Sequence, residues 1–109
     1  MNRNPNYLAP WEAVESYAQN LVKELACEIH PEHTLWGCRF KAVARRRDCD
    51  DILFEVIKDG GSKFAVVHLP WSSGQECGEF PSTEMYSTIE SWIADGMSRD
   101  HKEWEGSPE

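Results

Sequence analysis

A chain of 109 residues, 40% of them hydrophobic, supports one hydrophobic core but not two domains that each bury one. Its 19 acidic residues outnumber 11 basic ones, for a formal net charge of −8. That balance argues against nucleic acid as a partner, because affinity for the phosphate backbone comes from clustered Lys and Arg. A basic partner suits the charge better, and the one basic run, Arg45-Arg46-Arg47, is nearly cancelled by Asp48, Asp50 and Asp51 directly after it.

The amino terminus lacks the apolar core of a signal peptide, and no stretch reaches the ~20 apolar residues of a membrane span. The expectation is a cytoplasmic protein with no membrane association. In that compartment Cys27, Cys38, Cys49 and Cys77 stay as free thiols rather than disulfides.

In chain order, residues 1–8 read as a flexible arm rich in Asn. Pro10 suits the first turn of a helix, and Glu12 and Glu15 then lie near the positive end of its dipole. Trp11, Val14, Ala18, Leu21, Val22, Leu25 and Ile29 follow at spacings of three and four, which predicts an amphipathic helix. Pro31 stops it near residue 28 or 29, because the residue before a proline is disfavoured in helical geometry. A first strand is predicted over residues 38–46, with Phe40, Ala42 and Ala44 on one face and Arg39, Lys41, Val43 and Arg45 on the other. Residues 52–57 and 64–69 form a hairpin around an Asp-Gly-Gly connection, and both strands are apolar on both faces, interrupted by Glu55 and His68. The turn-rich segment 72–81 is a long loop. Ser82 or Thr83 then caps a second helix with Met85, Ile89, Trp92 and Ile93 as its stripe and Gly96 as its left-handed stop. Residues 98–109 read as a flexible tail anchored by no more than Trp104.

The predicted fold is therefore α+β, in the order α-β-β-β-α. Residues 9–97 form a single domain, a three-stranded antiparallel meander with an N-terminal and a C-terminal helix on one face. This arrangement leaves the other sheet face open, with an apolar patch made by Val43, Leu53, Ile57 and part of the third strand. A homodimer through that open face, or the tail folding back with Trp104, would cover it.

The runs Asp50-Asp51-Ile52-Leu53-Phe54 and Val66-Val67-His68-Leu69-Pro70-Trp71 resemble a family of short bacterial cytoplasmic proteins in which an acidic pair opens one strand and a Val-Val-His-Leu-x-Trp run closes the next. The likeness runs loosely from the first helix to Trp92. Thr is common in that family where this chain has Pro70. The resemblance implies a single small domain and no particular activity.

Three groups of residues carry candidate chemistry. Cys27, His30, His33 and Cys38 have the side-chain types of a zinc site in the spacing C-x2-H-x2-H-x4-C. Such a site would require Cys27 on the helix to turn past Pro31 toward Cys38, so the plainer reading is a buried thiol beside loop histidines, with no metal and no cofactor. His68, near a strand end, pairs in the sequence reading with Glu55, Asp50 or Asp51 as a general base, or with Cys49 or Cys77 in a thiol hydrolase. The plainer reading there is a histidine hydrogen-bonded within the sheet. Trp36 and Trp71, at strand ends, suit the walls of a binding site, with His68 between them and the 72–81 loop nearby. The function these residues suit best is a small acidic interaction or ligand-binding module for a protein or small molecule, non-enzymatic and homodimeric. An immunity or antitoxin-like protein is one form of it, and a small hydrolase or isomerase using His68 with a carboxylate is the rival.

Overall fold

The computed structural model describes residues 7–14, 18–29, 31–69 and 83–106. Five antiparallel strands form one sheet whose spatial order is the order of the chain: β1 (Trp11–Ala13), β2 (Arg39–Arg46), β3 (Asp51–Lys58), β4 (Gly61–His68) and β5 (Thr83–Tyr86). Helix α1 (Ala18–Glu28) lies between β1 and β2. After β5 the chain enters α2 (Ile89–Ser91), a π-helical stretch (Trp92–Met97) and α3 (Ser98–Glu105), with right-handed helical dihedrals at each junction. The class is α+β with an antiparallel meander, as expected, but the sheet has five strands rather than three.

The central hairpin is tighter than the sequence suggested. Asp59 and Gly60 both take positive φ, 54° and 80°, the geometry of a two-residue turn whose twist matches that of the flanking strands. Lys58 therefore faces Gly61 directly, and pairing runs unbroken to Asp51 opposite His68.

Both additional strands come from segments read as helix. Trp11 does not open a helix; it pairs with Arg46, and Ala13 pairs with Ala44. What holds it in the sheet is tertiary. Its indole meets Trp92 edge-on with ring centroids 5.1 Å apart, and its N–H donates to Asp100 at 2.9 Å. Thr83–Tyr86 likewise adds to the edge of β4, and the helix cap moves to Thr88. There the Thr88 hydroxyl accepts from the Ser91 amide at 3.0 Å while the Ser91 hydroxyl takes the Thr88 amide, a reciprocal pair that satisfies otherwise orphaned donors.

The helices do not share one face. Helix α1 packs Leu21, Leu25 and neighbouring Ile29 against Ala42, Ile52, Phe54, Val56, Ala65 and Val67. The carboxy-terminal helix packs Trp92, Met97 and Ile93 against Trp11, Ala44, Leu53, Val66, Phe64 and Tyr86 on the opposite side. The two-sided apolarity of β3 and β4 thus serves two covering layers. The face expected to be open is filled by Trp92, which is fully buried. A dimer through that face would have to displace this helix, and Trp104, the tail's expected cover, is 46% exposed. Ser98–Glu105, read as part of a flexible tail, is helical.

Gly96 does not stop this helix. A β-carbon there would come within 2.7 Å of Trp92 Cδ1 and 2.8 Å of the Tyr86 hydroxyl. Glycine at this position is a requirement of close approach, and the local widening to π geometry accompanies it.

One irregularity in β2 changes which side chains meet each covering layer. Ala42 pairs with Phe54, but Ala44 pairs with Leu53, so an extra residue, Val43, is accommodated between them. The alternation reverses across this bulge. Ala42 points to the α1 side, whereas Ala44 belongs to the core beneath the carboxy-terminal helix. This corrects the expected single face of Phe40, Ala42 and Ala44, and it turns Arg46 rather than Arg45 toward the carboxy-terminal helix.

Candidate functional site

The reversal delivers Arg46 to a polar cleft of about 350 Å³ at the end of the sheet covered by α3. Sheet residues Asp51, Val66, His68 and Glu84 line it from below, and Arg99, Asp100 and Glu103 line it from the helix. The strand period explains the sheet side: Asp51 and His68 are cross-strand partners and Val66 faces Glu84, all on one face. On α3, Arg99, Asp100 and Glu103 fall on the turn that comes after the Trp92–Met97 anchor.

At the centre, His68 Nδ1 lies 2.8 Å from Asp51 Oδ1. A carboxylate only accepts, so Nδ1 is the nitrogen that donates, and in the neutral tautomer this leaves Nε2 as the acceptor. The His68 side chain is 54% exposed and that of Asp51 24%, so the ring is oriented but open to solvent.

Behind this pair the charges interlock. Arg46 makes two bonds to Asp48, from Nε at 2.9 Å and Nη2 at 2.8 Å, a bidentate geometry suited to guanidinium and carboxylate. Its Nη1 lies 3.5 Å from Asp100 Oδ1 and 4.0 Å from Asp51 Oδ2. Burial alone would weaken the Arg46 charge, but the Asp48 hydrogen bond and the surrounding negative groups outweigh it and hold the guanidinium more firmly protonated than usual. The same hydrogen bond pulls the Asp48 carboxyl below its ordinary range. Arg99 reaches Glu84 at 3.2 Å and Asp100 at 3.3 Å, and the Glu84 contact leads the effects that raise its basicity. Asp100, 5% exposed, therefore receives Trp11, Arg46 and Arg99 together. Tyr86 donates to Glu84 at 3.2 Å, and burial, then the Glu84 charge, push its phenol upward.

Of the carboxylates considered for His68, the structure brings Asp51 to it. Asp50 is exposed, and its backbone oxygen accepts from Leu69 N at 3.0 Å; Glu55 faces Phe64 further along the hairpin. Cys49 carries a free thiol, and burial pushes that thiol upward, away from the thiolate a nucleophile requires. Cys77, Trp71 and the 72–81 loop lie outside the described residues. Trp36 is 47% exposed and borders a smaller apolar groove with Ile29, Leu35 and Phe40, on the α1 side of the sheet. The structure thus places Trp36 and His68 on opposite faces rather than in one site.

The four residues of the zinc pattern meet different fates. Cys27 is exposed and Cys38 half-buried, both as free thiols, and His30 lies outside the described residues. His33 is buried; its Nδ1 accepts from the Leu35 amide at 3.0 Å, and its Nε2 lies 3.3 Å from the Thr83 hydroxyl. Those bonds use the ring to tie the α1–β2 connection to β5. Among the described residues, no group of three or more His, Cys, Asp or Glu side chains is arranged to hold a metal ion, and no helix is long and apolar enough to cross a membrane.

Sequence reasoning missed Arg46, Glu84, Arg99, Asp100 and Glu103 as cleft residues. Arg46 was hidden by the bulge, which alternation alone cannot reveal. Arg99, Asp100 and Glu103 were hidden by the reading of Gly96 as a helix stop. The spacing of Met97, His101 and Trp104 was the available signal that the helix continues.

No family model, curated protein or solved structure matches the chain.

Proposed function

We propose that this chain is a small acidic binding module, not an enzyme, that receives a basic side chain of a protein partner in the cleft beside His68. The observation that carries this reading is the charge left over in the cleft. Four carboxylates line it against two guanidinium groups, and both arginines are already engaged by carboxylates of their own chain. Among the described residues, Glu103, which is exposed, and His68 Nε2 remain as acceptors for an incoming donor. The chain-wide charge of −8 would steer a cationic partner toward it.

The test is calorimetry with a short arginine-containing peptide and its citrulline counterpart, which has the same shape without the charge. Binding should favour arginine, weaken as salt rises, and fall in the Glu103→Gln/His68→Ala double variant. Equal affinity for the two peptides, or an unaffected double variant, would sink the proposal.

A second reading rests on the 2.8 Å Asp51–His68 contact, which suits a general base acting on water or a carbon acid. It receives less support, because the Arg46 and Arg99 guanidinium groups that would stabilise a developing anion are already held by carboxylates of the same chain. Turnover of any substrate abolished by His68→Gln with the fold intact would favour it over binding alone.

A further inference from the structure

The α1 side of the sheet carries a second concavity, distinct in charge from the first. It has a volume of about 350 Å³ and lies where β3, β4 and β5 emerge beyond helix α1. Its floor is apolar, from Leu35, Cys38, Val56 and Met85, and its rim at the hairpin tip carries Lys58 and Lys63. The strand period accounts for this grouping. Val56 and Lys63 are cross-strand partners, and Met85 pairs with Ala65 of the same face.

Two features set the chemistry of this concavity. Met85, 43% exposed, is one of four large apolar side chains exposed among the described residues, with Leu8, Trp36 and Trp104, and it lines this concavity. Neither Lys58 nor Lys63 forms an ion pair with another described residue. Asp59 shares the rim, so the lining holds two lysines against one aspartate, a net positive site in a chain whose formal charge is −8. Apolar floor and cationic rim together match one chemistry, an anionic head on an apolar tail. The volume falls within the range of small-molecule pockets, about 300–1,000 Å³. Leu35 and Cys38 also line the neighbouring apolar groove beside Trp36, of about 240 Å³, which lies in the direction a tail would take.

We propose that this groove binds a medium-chain fatty acid, its carboxylate held by Lys58 and Lys63 and its chain laid over Met85 and Leu35 toward Trp36. The site is separate from the His68 cleft, and its failure would leave that reading untouched.

The methionines supply the test. Protein labelled with carbon-13 at the methionine methyls reports Met85 on the groove floor and Met97, 2% exposed under the opposite helix, as an internal control. Decanoate below its micelle concentration should shift the Met85 resonance saturably and leave Met97 in place. Lys58→Gln/Lys63→Gln should weaken binding about tenfold, the scale of losing hydrogen bonds to a charged group. Both lysines are exposed, and an unmoved Met97 resonance will show that the variant is folded. Decyltrimethylammonium and acetate should each bind far more weakly than decanoate. A static Met85 at millimolar decanoate would overturn the proposal. So would equal affinity for the ammonium amphiphile or for acetate, or a peptide with an apolar carboxy terminus that outcompetes decanoate.

Discussion

Substituting Gly96 with alanine separates two accounts of the carboxy-terminal helix, because they disagree in sign. In an ordinary exposed helix, alanine gains about 1 kcal/mol over glycine. Here the added methyl would lie 2.7 Å from Trp92 Cδ1 and 3.1 Å from Trp92 Nε1, so the indole must move. Trp92 is fully buried and is braced by Trp11 at 5.1 Å and Tyr7 at 6.1 Å between ring centroids. It has nowhere inexpensive to go, and overpacking of a tight core typically costs about 1–3 kcal/mol. Taking the upper part of that range for a braced aromatic, and subtracting the helical gain, leaves a net loss of about 1–2 kcal/mol. For a domain of this size that corresponds to a melting temperature lower by about 4–8 °C. Urea titration followed by tryptophan fluorescence should show an earlier midpoint with an unchanged slope. A variant as stable as the parent, or more so, would refute the packing of Gly96 against Trp92 and with it the docking of the whole helix.

Four further outcomes are expected of the cleft and its surroundings. Asp100→Ala leaves the Trp11 indole N–H and two guanidinium groups short of an acceptor and should lower stability by about 1.5–3 kcal/mol, whereas Asp100→Asn keeps an acceptor for Trp11 and should be milder; equal, negligible losses in chemical denaturation would contradict the network. The Arg46 hydrogen bond lowers the folded-state pKa of Asp48, so its contribution is complete above the ordinary carboxylate range and is lost as pH falls through the lowered value; Arg46→Gln should flatten that acid limb of the stability profile, by a modest amount for so exposed a pair. Nitrogen-15 spectra should show neutral His68 protonated on Nδ1, and a dominant Nε2–H form would break the assigned pairing with Asp51. Light scattering at micromolar concentration should give a mass near 12.5 kDa, because both sheet faces are covered within the chain; twice that mass would require an interface elsewhere.

The central hairpin was legible in the sequence because its signal is dense: two runs of β-branched and aromatic residues around Asp59-Gly60, a dipeptide suited to positive φ. The same runs announced a need for cover on both faces, though not its source. Strands β1 and β5 were hidden because three or four residues are too few to show a period, and Trp11 and Met85 also fit helical stripes at either end of the chain. Long-range pairing settled those segments instead, as with Trp11 and Asp100, whose separation in sequence is 89 residues. Asp51 with His68 was within reach of sequence reasoning since both lie on adjacent strands. Their arginine and carboxylate neighbours depended on the course of a helix that Gly96 disguised.

The extra residue at Val43 gives the three consecutive arginines unequal standing. It acts as a phase shift: before it the even-numbered Phe40 and Ala42 face α1, and after it the even-numbered Ala44 and Arg46 face the carboxy-terminal helix. Regular pairing through Val43, with Val43 instead of Ala44 opposite Leu53, would bring Arg45 in place of Arg46 under α3 without altering the local charge at all. The ion pairs to Asp48 and Asp100 consequently depend on strand register as well as on residue identity, and a slip that leaves composition intact would dismantle the cleft as completely as the loss of a charged group.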